Sequence, residues 1–143
     1  MKALRELFRG IPCSWNGKGE LTTQIVRVTS DSRRVKPGDL FVAVKGCRVE
    51  GHEFIHDAVE RGAKAIVSKC FIRLPDEADL PQFCVADSRR ALSQLVAASY
   101  DFPARRLKLI GITGTNGKTT TAFLVQHLLN QVSRAGLIGS IYY

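Results

Sequence analysis

No stretch of the sequence comes close to the roughly 20 consecutive apolar residues that cross a bilayer as a helix, so no membrane-spanning helix and no membrane partner are expected. The N-terminal run 1–10 interleaves Lys2, Arg5, Glu6 and Arg9 with its apolar side chains and lacks the unbroken apolar core of a secretory signal. A cytoplasmic location is the expectation. Cysteine is sparse: Cys13, Cys47, Cys70 and Cys84 include no C-x-x-C pair, which argues against the usual zinc and thioredoxin-like spacings and favours reduced, structural thiols. Internal repeats and low-complexity tracts are missing too. Acidic residues are in deficit, 13 against 21 Lys and Arg, for a formal charge of +8. The surplus falls in short groups, Arg33-Arg34 with Lys36, Arg89-Arg90, and Arg105-Arg106 with Lys108. A nucleic-acid surface more often shows a long basic run or a stripe with interleaved aromatics. The scattered pairs suit a polyanionic small molecule or a solvated face, and no nucleic-acid partner is expected, although the charge alone fits nucleotides and polynucleotides alike.

What is present is the composition of a soluble globular protein, 45% hydrophobic and 24% charged over 143 residues. That length buries one ordinary core, or one small domain and part of another. Residues 2–9 are expected to form a short helix using Leu4, Leu7 and Phe8, and a Gly/Pro/Asn-rich link over 10–19 follows. The β-branched run 24–29 reads as a strand. Pro37-Gly38 marks a turn before the apolar strand 40–44. A loop over 46–51 leads to a helix at 52–61, with Gly62 placed to end it and a strand at 63–68 beyond. After a loop at 69–82 come a strand at 83–86 and a helix capped by Asp87 or Ser88, which Phe102-Pro103 stops. The layout is α/β. A boundary near 101–106 divides a small N-terminal α/β domain, 1–104, from residues 105–143, which read as strand (107–112), loop, helix (to about 133) and strand (135–142), a single βαβ unit. One such unit leaves most of a parallel sheet uncovered, so the second domain is expected to be truncated.

The loop of that unit is the sharpest chemical signal. Gly111, Gly114 and Gly117 allow positive φ and close backbone approach, so successive N–H groups can point at phosphate oxygens. The helix that follows adds its unpaired N–H groups and the positive end of its dipole. Lys118 would set an ammonium against the terminal phosphates as the catalytic residue, and the Thr119 hydroxyl would reach a Mg²⁺ that also holds them. Gly114, Thr115, Asn116, Gly117, Lys118, Thr119 and Thr120 are the expected nucleotide contacts, with ATP or another nucleoside triphosphate as the ligand. The common pattern G-x-x-x-x-G-K-[ST] would put glycine at position 112, which is Ile112.

A second motif, His52-Glu53-Phe54-Ile55-His56, matches the H-E-x-x-H of zinc hydrolases on an expected helix. Its histidines fall on the flank of the apolar face, His52 directly follows Gly51 at the helix start, and Glu77, the one acid proposed as a third ligand, sits in a Pro/Asp-rich loop. Two exposed histidines is the simpler reading.

Taken together, Asp31-Ser32-Arg33, the run 36–43, Gly46, Gly51-His52, Phe54-Ile55, Ala58, Gly62-Ala63 and the loop 111–121 resemble the Mur ligase family. Within it, the loop 114–121, Ser88-Arg89-Arg90-Ala91-Leu92 and the run 136–140 most resemble the member that adds the third amino acid in peptidoglycan synthesis; a sister ligase shares the first set and stays open as an alternative. The resemblance implies an ATP- and Mg²⁺-dependent amide synthesis. The γ-phosphate passes to the D-glutamate carboxylate of UDP-N-acetylmuramoyl-L-alanyl-D-glutamate, and an amine of meso-diaminopimelate or L-lysine attacks the acyl phosphate. It also implies that Ser30, Ser32, Cys47, Arg48 and Val49 contact the UDP-sugar, that the N-terminal domain binds that sugar, and that the second is the start of the ATP-binding domain. A monomer, inactive without the central and C-terminal parts of such ligases, is the resulting expectation. A nucleotide-dependent nucleic-acid-binding protein is the competing class.

Overall fold

The computed structural model describes residues 1–44, 51–74 and 80–139. The chain divides into two compact units, Met1–Arg105 and Arg106–Tyr143.

In the first unit, a five-stranded sheet has the order β2 (Ser14–Trp15), β7 (Gln82–Cys84), β6 (Ala65–Ser68), β5 (Leu40–Val42), β4 (Val28–Thr29). Strands β4 to β7 run parallel, with Thr29 opposite Phe41, Phe41 opposite Ile66 and Val67 opposite Phe83. Only the edge strand β2 is antiparallel, placing Ser14 opposite Cys84. The central strands are apolar but for Ser68 and Gln82 at their ends, because both faces are covered. Leu40, Val42, Ala65, Val67 and Phe83 point to one face, under α1 (Leu4–Leu7) and α3 (Ser88–Ser99). Phe41 and Ile66 point to the other, under α2 (Ile55–Glu60), where Ile55, Ala58 and Ala63 complete the layer. Each fully buried Leu, Ile or Phe in these layers contributes about 1.5–3 kcal/mol. The Phe8 and Phe83 rings stack at 3.9 Å between centroids, tying the end of α1 to the sheet.

Several expected elements take a different form. The helix expected at 2–9 is cut to Leu4–Leu7 because Lys2–Ala3 form β1, which pairs antiparallel with β3 (Gln24–Ile25). The single strand expected at 24–29 is two, since β3 pairs with β1 and β4 with β5, and the chain changes partner at Val26 and Arg27. The helix expected at 52–61 opens as a 3-10 turn over Gly51–Phe54 before becoming α2. The turn at Pro37-Gly38 is present, with the Asp39 N–H donating to the Lys36 carbonyl at 3.1 Å. Helix α3 is capped as expected: the Asp87 carboxylate accepts from the backbone N–H groups of Arg89 and Arg90 at 2.9 and 3.1 Å. Its far end closes through the Asp101 N–H on Ala98 O, at 3.1 Å, and the Phe102 N–H on Ala97 O, at 2.7 Å.

The second unit holds α4 (Lys118–Asn130), whose more shaded positions are Ala122, Val125, Gln126 and Leu129, the helical repeat expected of an amphipathic segment. The strands expected at 107–112 and 135–142 are not formed among the described residues. A strand exists by pairing, and no described segment of this unit offers a ladder. Leu107, Leu109 and Ile110 are correspondingly 61–72% exposed. The segment after α4 is tied to it instead by side chains: the Ala135 N–H donates to Asn130 Oδ1 at 2.8 Å, and Gln126 Nε2 donates to Ala135 O at 3.1 Å. Among the described residues no helix is long and apolar enough to cross a membrane.

Candidate functional site

The parallel strands send their C-terminal ends to one edge of the sheet, the edge where open α/β sheets carry ligands. The Thr29–Phe41 register sets the exits of β4 and β5 side by side. Ser30 follows β4 directly and is exposed. A 3-10 turn over Ser32–Arg34 comes next, capped by Asp31, whose Oδ1 accepts the Arg33 N–H at 3.1 Å. The Arg33 guanidinium returns to the same carboxylate with Nε at 2.9 Å and Nη2 at 3.0 Å. This fork is the main reason the Asp31 carboxyl is held below its ordinary value and the Arg33 guanidinium above its own. The chain leaves β5 through Val44 towards Cys47, Arg48 and Val49, which lie outside the described residues.

Ser32 differs from Ser30. It is buried, in a turn that packs against α2, the helix that carries Asp57. Arg61, one helical turn later, puts its Nε 2.6 Å from Asp57 Oδ1. The Arg61 pair first, and the Ser32 hydroxyl second, lower the Asp57 pKa. Sequence reading overlooked the Asp57–Arg61 pair. Its signal was available in the acid–base spacing of Asp57 and Arg61 on the expected helix.

Arg89 and Arg90 stand in the first turn of α3 at the same edge of the sheet, beyond the end of β7. Asp87 is held ionised there chiefly by the Arg90 N–H, with smaller help from the Arg89 N–H and the Lys69 charge. Of the H-E-x-x-H residues, His56 and Glu53 are exposed, and the side chain of His52 is outside the described residues, as is Glu77. Among the described residues no three His, Cys, Asp or Glu side chains gather in a way that could hold a metal. Cys13 and Cys70 are exposed and Cys84 half-buried, all free thiols.

The phosphate loop stands in the second unit. Gly114 has φ +146° and Gly117 φ +74°, backbone that L side chains rarely adopt, and neither faces a close neighbour, so the dihedral rather than space requires glycine. Gly117 begins α4, and the first intrahelical bond runs from the Thr121 N–H to Gly117 O at 2.9 Å. The N–H groups of Lys118, Thr119 and Thr120 are therefore the orphan donors of the helix start. No side chain caps them, and no acid occupies the first turn to compete with an anion. The Lys118 ammonium folds over the loop, donating to Gly114 O at 2.5 Å and Thr115 O at 3.1 Å. An uncapped helix start, a glycine backbone and a lysine at its mouth fit a nucleotide's phosphates, and the exposed Thr119 hydroxyl beside them is the donor type that suits Mg²⁺.

Known proteins similar to this chain are ligases. The diaminopimelate ligases acting on UDP-N-acetylmuramoyl-L-alanyl-D-glutamate from Listeria monocytogenes and Geobacillus thermodenitrificans are 41% and 44% identical over 140 and 139 residues, 97% and 96% of this chain. Those stretches are 28% and 27% of the relatives, so the chain spans little more than a quarter of their length. Among solved structures, MurF from Acinetobacter baumannii superposes with a TM-score of 0.71 at 32% identity, over 92% of this chain and 28% of that one. MurF from Thermotoga maritima in complex with ADP follows at 0.54 and 33%, over 77% and 24%. The model described as "Mur ligase family, catalytic domain" matches residues 24–100, more than half of the sequence, and with it the chain is a member of the Mur ligase family.

Proposed function

We propose that this chain is the sugar-nucleotide and phosphate-gripping portion of an ATP-dependent ligase that joins diaminopimelate, through an amide bond, to the D-glutamate of UDP-N-acetylmuramoyl-L-alanyl-D-glutamate. The observation that carries this reading is the 41% identity, over 97% of the chain, to a ligase of that printed name. The 32% identity to MurF structures supports the sister ligase as a second reading, and the lower figure ranks it second.

In this reading Ser30 and Ser32, with Cys47, Arg48 and Val49, meet the UDP-sugar at the C-terminal edge of the sheet. Short hydroxyls and loop N–H groups suit the edges of a uracil and a diphosphate, and Arg48 opposes the diphosphate charge. Residues 114–120 hold ATP, Lys118 bears on its terminal phosphates, and Thr119 joins the Mg²⁺ site. The bound nucleotide supplies the phosphoryl group that activates the carboxylate; the chain's own residues bind and orient it. We take the chain to work in the cytoplasm as a monomer, and its scattered basic pairs suit a polyanionic small molecule rather than a nucleic acid. These 143 residues span little more than a quarter of the relatives' length, and as an isolated polypeptide they are expected to bind UDP without completing a turnover. Calorimetry with UDP and an assay for ADP release with diaminopimelate test both halves. No UDP binding would overturn the first, and ADP release stimulated by diaminopimelate or lysine the second.

A further inference from the structure

Resting on the nucleotide-sugar reading, we propose that Arg27 is a positioning residue for that site: its guanidinium, held by Asp39, grips the Arg34 carbonyl and so fixes the 3-10 turn whose entry presents Ser30. Arg27 lies just before β4, three residues ahead of Ser30, and is none of the ligand contacts named above.

The hydrogen bonds carry the argument. Those at the start of the turn are local: the Asp31 N–H donates to Thr29 Oγ1 at 3.3 Å, and the Asp31 carboxylate accepts from Arg33. Within the turn, the Arg34 N–H donates to Asp31 O and the Val35 N–H to Ser32 O, both at 3.1 Å. Bonds of this range shape a turn without tying its far end to the sheet. Arg27 supplies the fixed point. Its own carbonyl accepts the Leu40 N–H at 2.8 Å, and the Val26 N–H beside it donates to Gly38 O at 3.0 Å, so its backbone is held by the chain entering β5. Its Nη2 stands 2.5 Å from Asp39 Oδ2 and donates as well to the Arg34 carbonyl. One nitrogen thus bridges a carboxylate 2% exposed and the last residue of the turn, closing the seven positions from Arg27 to Arg34. A charged donor makes that bond one of the stronger kind. Arg27 therefore acts on the site through the backbone it holds.

Arg27→Lys separates this role from the ion pair. Its ammonium ends one bond short of Nη2, which keeps a charge beside Asp39 and gives up the reach to the Arg34 carbonyl. UDP affinity by calorimetry is expected to fall about three- to tenfold, the scale of one hydrogen bond, while the urea midpoint stays close to that of the wild type. Amide exchange at Arg34 and Val35 should quicken while the amides of β6 stay protected. The double variant Arg27→Ala/Asp39→Ala leaves no unpaired charge buried and should show the same quickening, with UDP affinity reduced at least as far; it carries the test should Arg27→Lys fail to fold. Unchanged UDP affinity, or unchanged exchange at Arg34 and Val35, would overturn the positioning role, and so would a loss of affinity accompanied by equal quickening across β6. Failure of the wild-type chain to bind UDP would instead bring down the nucleotide-sugar reading, and the exchange comparison would still decide for or against Arg27 as the anchor of the turn.

Discussion

Arg27, just before β4, holds the carboxylate of Asp39, just before β5, with Nη2 at 2.5 Å and Nε at 3.2 Å from the same oxygen. The two partners are unequally placed: the Asp39 side chain is 2% exposed and that of Arg27 37%. The same oxygen accepts the Lys36 N–H at 2.9 Å, and Arg27 also donates to the Arg34 carbonyl. One buried carboxylate thus ties the end of the β4–β5 connection, at Lys36, to the residue that enters β4. Attraction to Asp39, first through the hydrogen bond, raises the Arg27 pKa.

The inequality decides the order of mutant effects. In Asp39→Ala the guanidinium can turn to water, and the loss, mainly the Lys36 N–H and the local packing, is expected at about 2–4 kcal/mol. Arg27→Ala leaves a buried charge behind and should be the more damaging single change at neutral pH. The double variant should then be more stable than Arg27→Ala alone. Urea unfolding measures this as midpoint shifts at constant slope; a double variant no more stable than Arg27→Ala would contradict it.

Acid should unfold the first unit through three other carboxylates. Asp31, Asp57 and Asp87 are all shifted below 3.8, by Arg33, by Arg61 with Ser32, and by the Arg90 and Arg89 N–H groups. For each, the unfolded chain binds the proton more readily than the folded one. Their stabilisation is therefore complete above the ordinary carboxylate value and is lost as pH falls through the depressed folded values. The thermal midpoint should be insensitive to these groups above about pH 5 and fall below about pH 4. Asp87→Asn is the informative variant, since asparagine still caps α3 but does not titrate there. Its acid limb should be shallower than that of the wild type, with little change at neutral pH.

Much of the first unit was legible in the residues. The apolar runs at 40–44 and 63–68 and the Asp87 cap located two central strands and the longest helix of the unit, because a doubly covered strand and a capped helix leave local marks. Partner changes leave none. Val26 and Arg27 sit inside a continuous β-branched run, and only the pairing of β1 with β3 and of β5 with β4 shows that the strand breaks there. Ser14–Trp15 form a strand inside a stretch that reads as linker, since a two-residue edge has no periodicity to detect. The run 107–112 has the composition of a buried strand and forms none among the described residues, because composition supplies the side chains and not the neighbouring strand. At the site, the loop at 111–117 and the Ser30–Arg33 turn were visible as residue types. The packing of the Ser32–Arg34 turn against α2 was not, because it joins segments distant in sequence.

The phosphate loop makes its own prediction. Gly117 meets nothing that a Cβ would strike, so any cost of substitution lies in its φ of +74°. Gly117→Asn, which tolerates the left-handed region, should retain more nucleotide affinity than Gly117→Val, for which that backbone costs about 1–2 kcal/mol. Replacing Lys118 and Thr119 together by alanine should lower affinity for a fluorescent ADP analogue at least tenfold while the helix content stays constant. Unchanged affinity in that double variant would remove the loop from the nucleotide site.

The far end of α3 offers a case in which salt decides the sign. Asp101 has φ +58° and Phe102 φ +50°, left-handed positions occupied without glycine. Phe102 is repaid by packing against the core and by Arg105, whose guanidinium lies 4.3 Å from its ring centroid. Asp101 is exposed, and its visible compensation is Lys2, whose Nζ stands 2.5 Å from Oδ1 and 2.5 Å from Ala98 O. Asp101→Gly relieves a backbone cost of about 1 kcal/mol and gives up an ion pair worth about 0.2–1 kcal/mol. At low salt the two nearly cancel and the variant should match the wild type. At about 1 M salt the screening length falls to about 3 Å, the pair contributes little, and the backbone term is left alone. There Asp101→Gly should be the more stable chain by about 0.5–1 kcal/mol, read as the difference between the two proteins unfolded in the same buffer; a variant less stable at both salts would show that the Lys2 contact outweighs the strain.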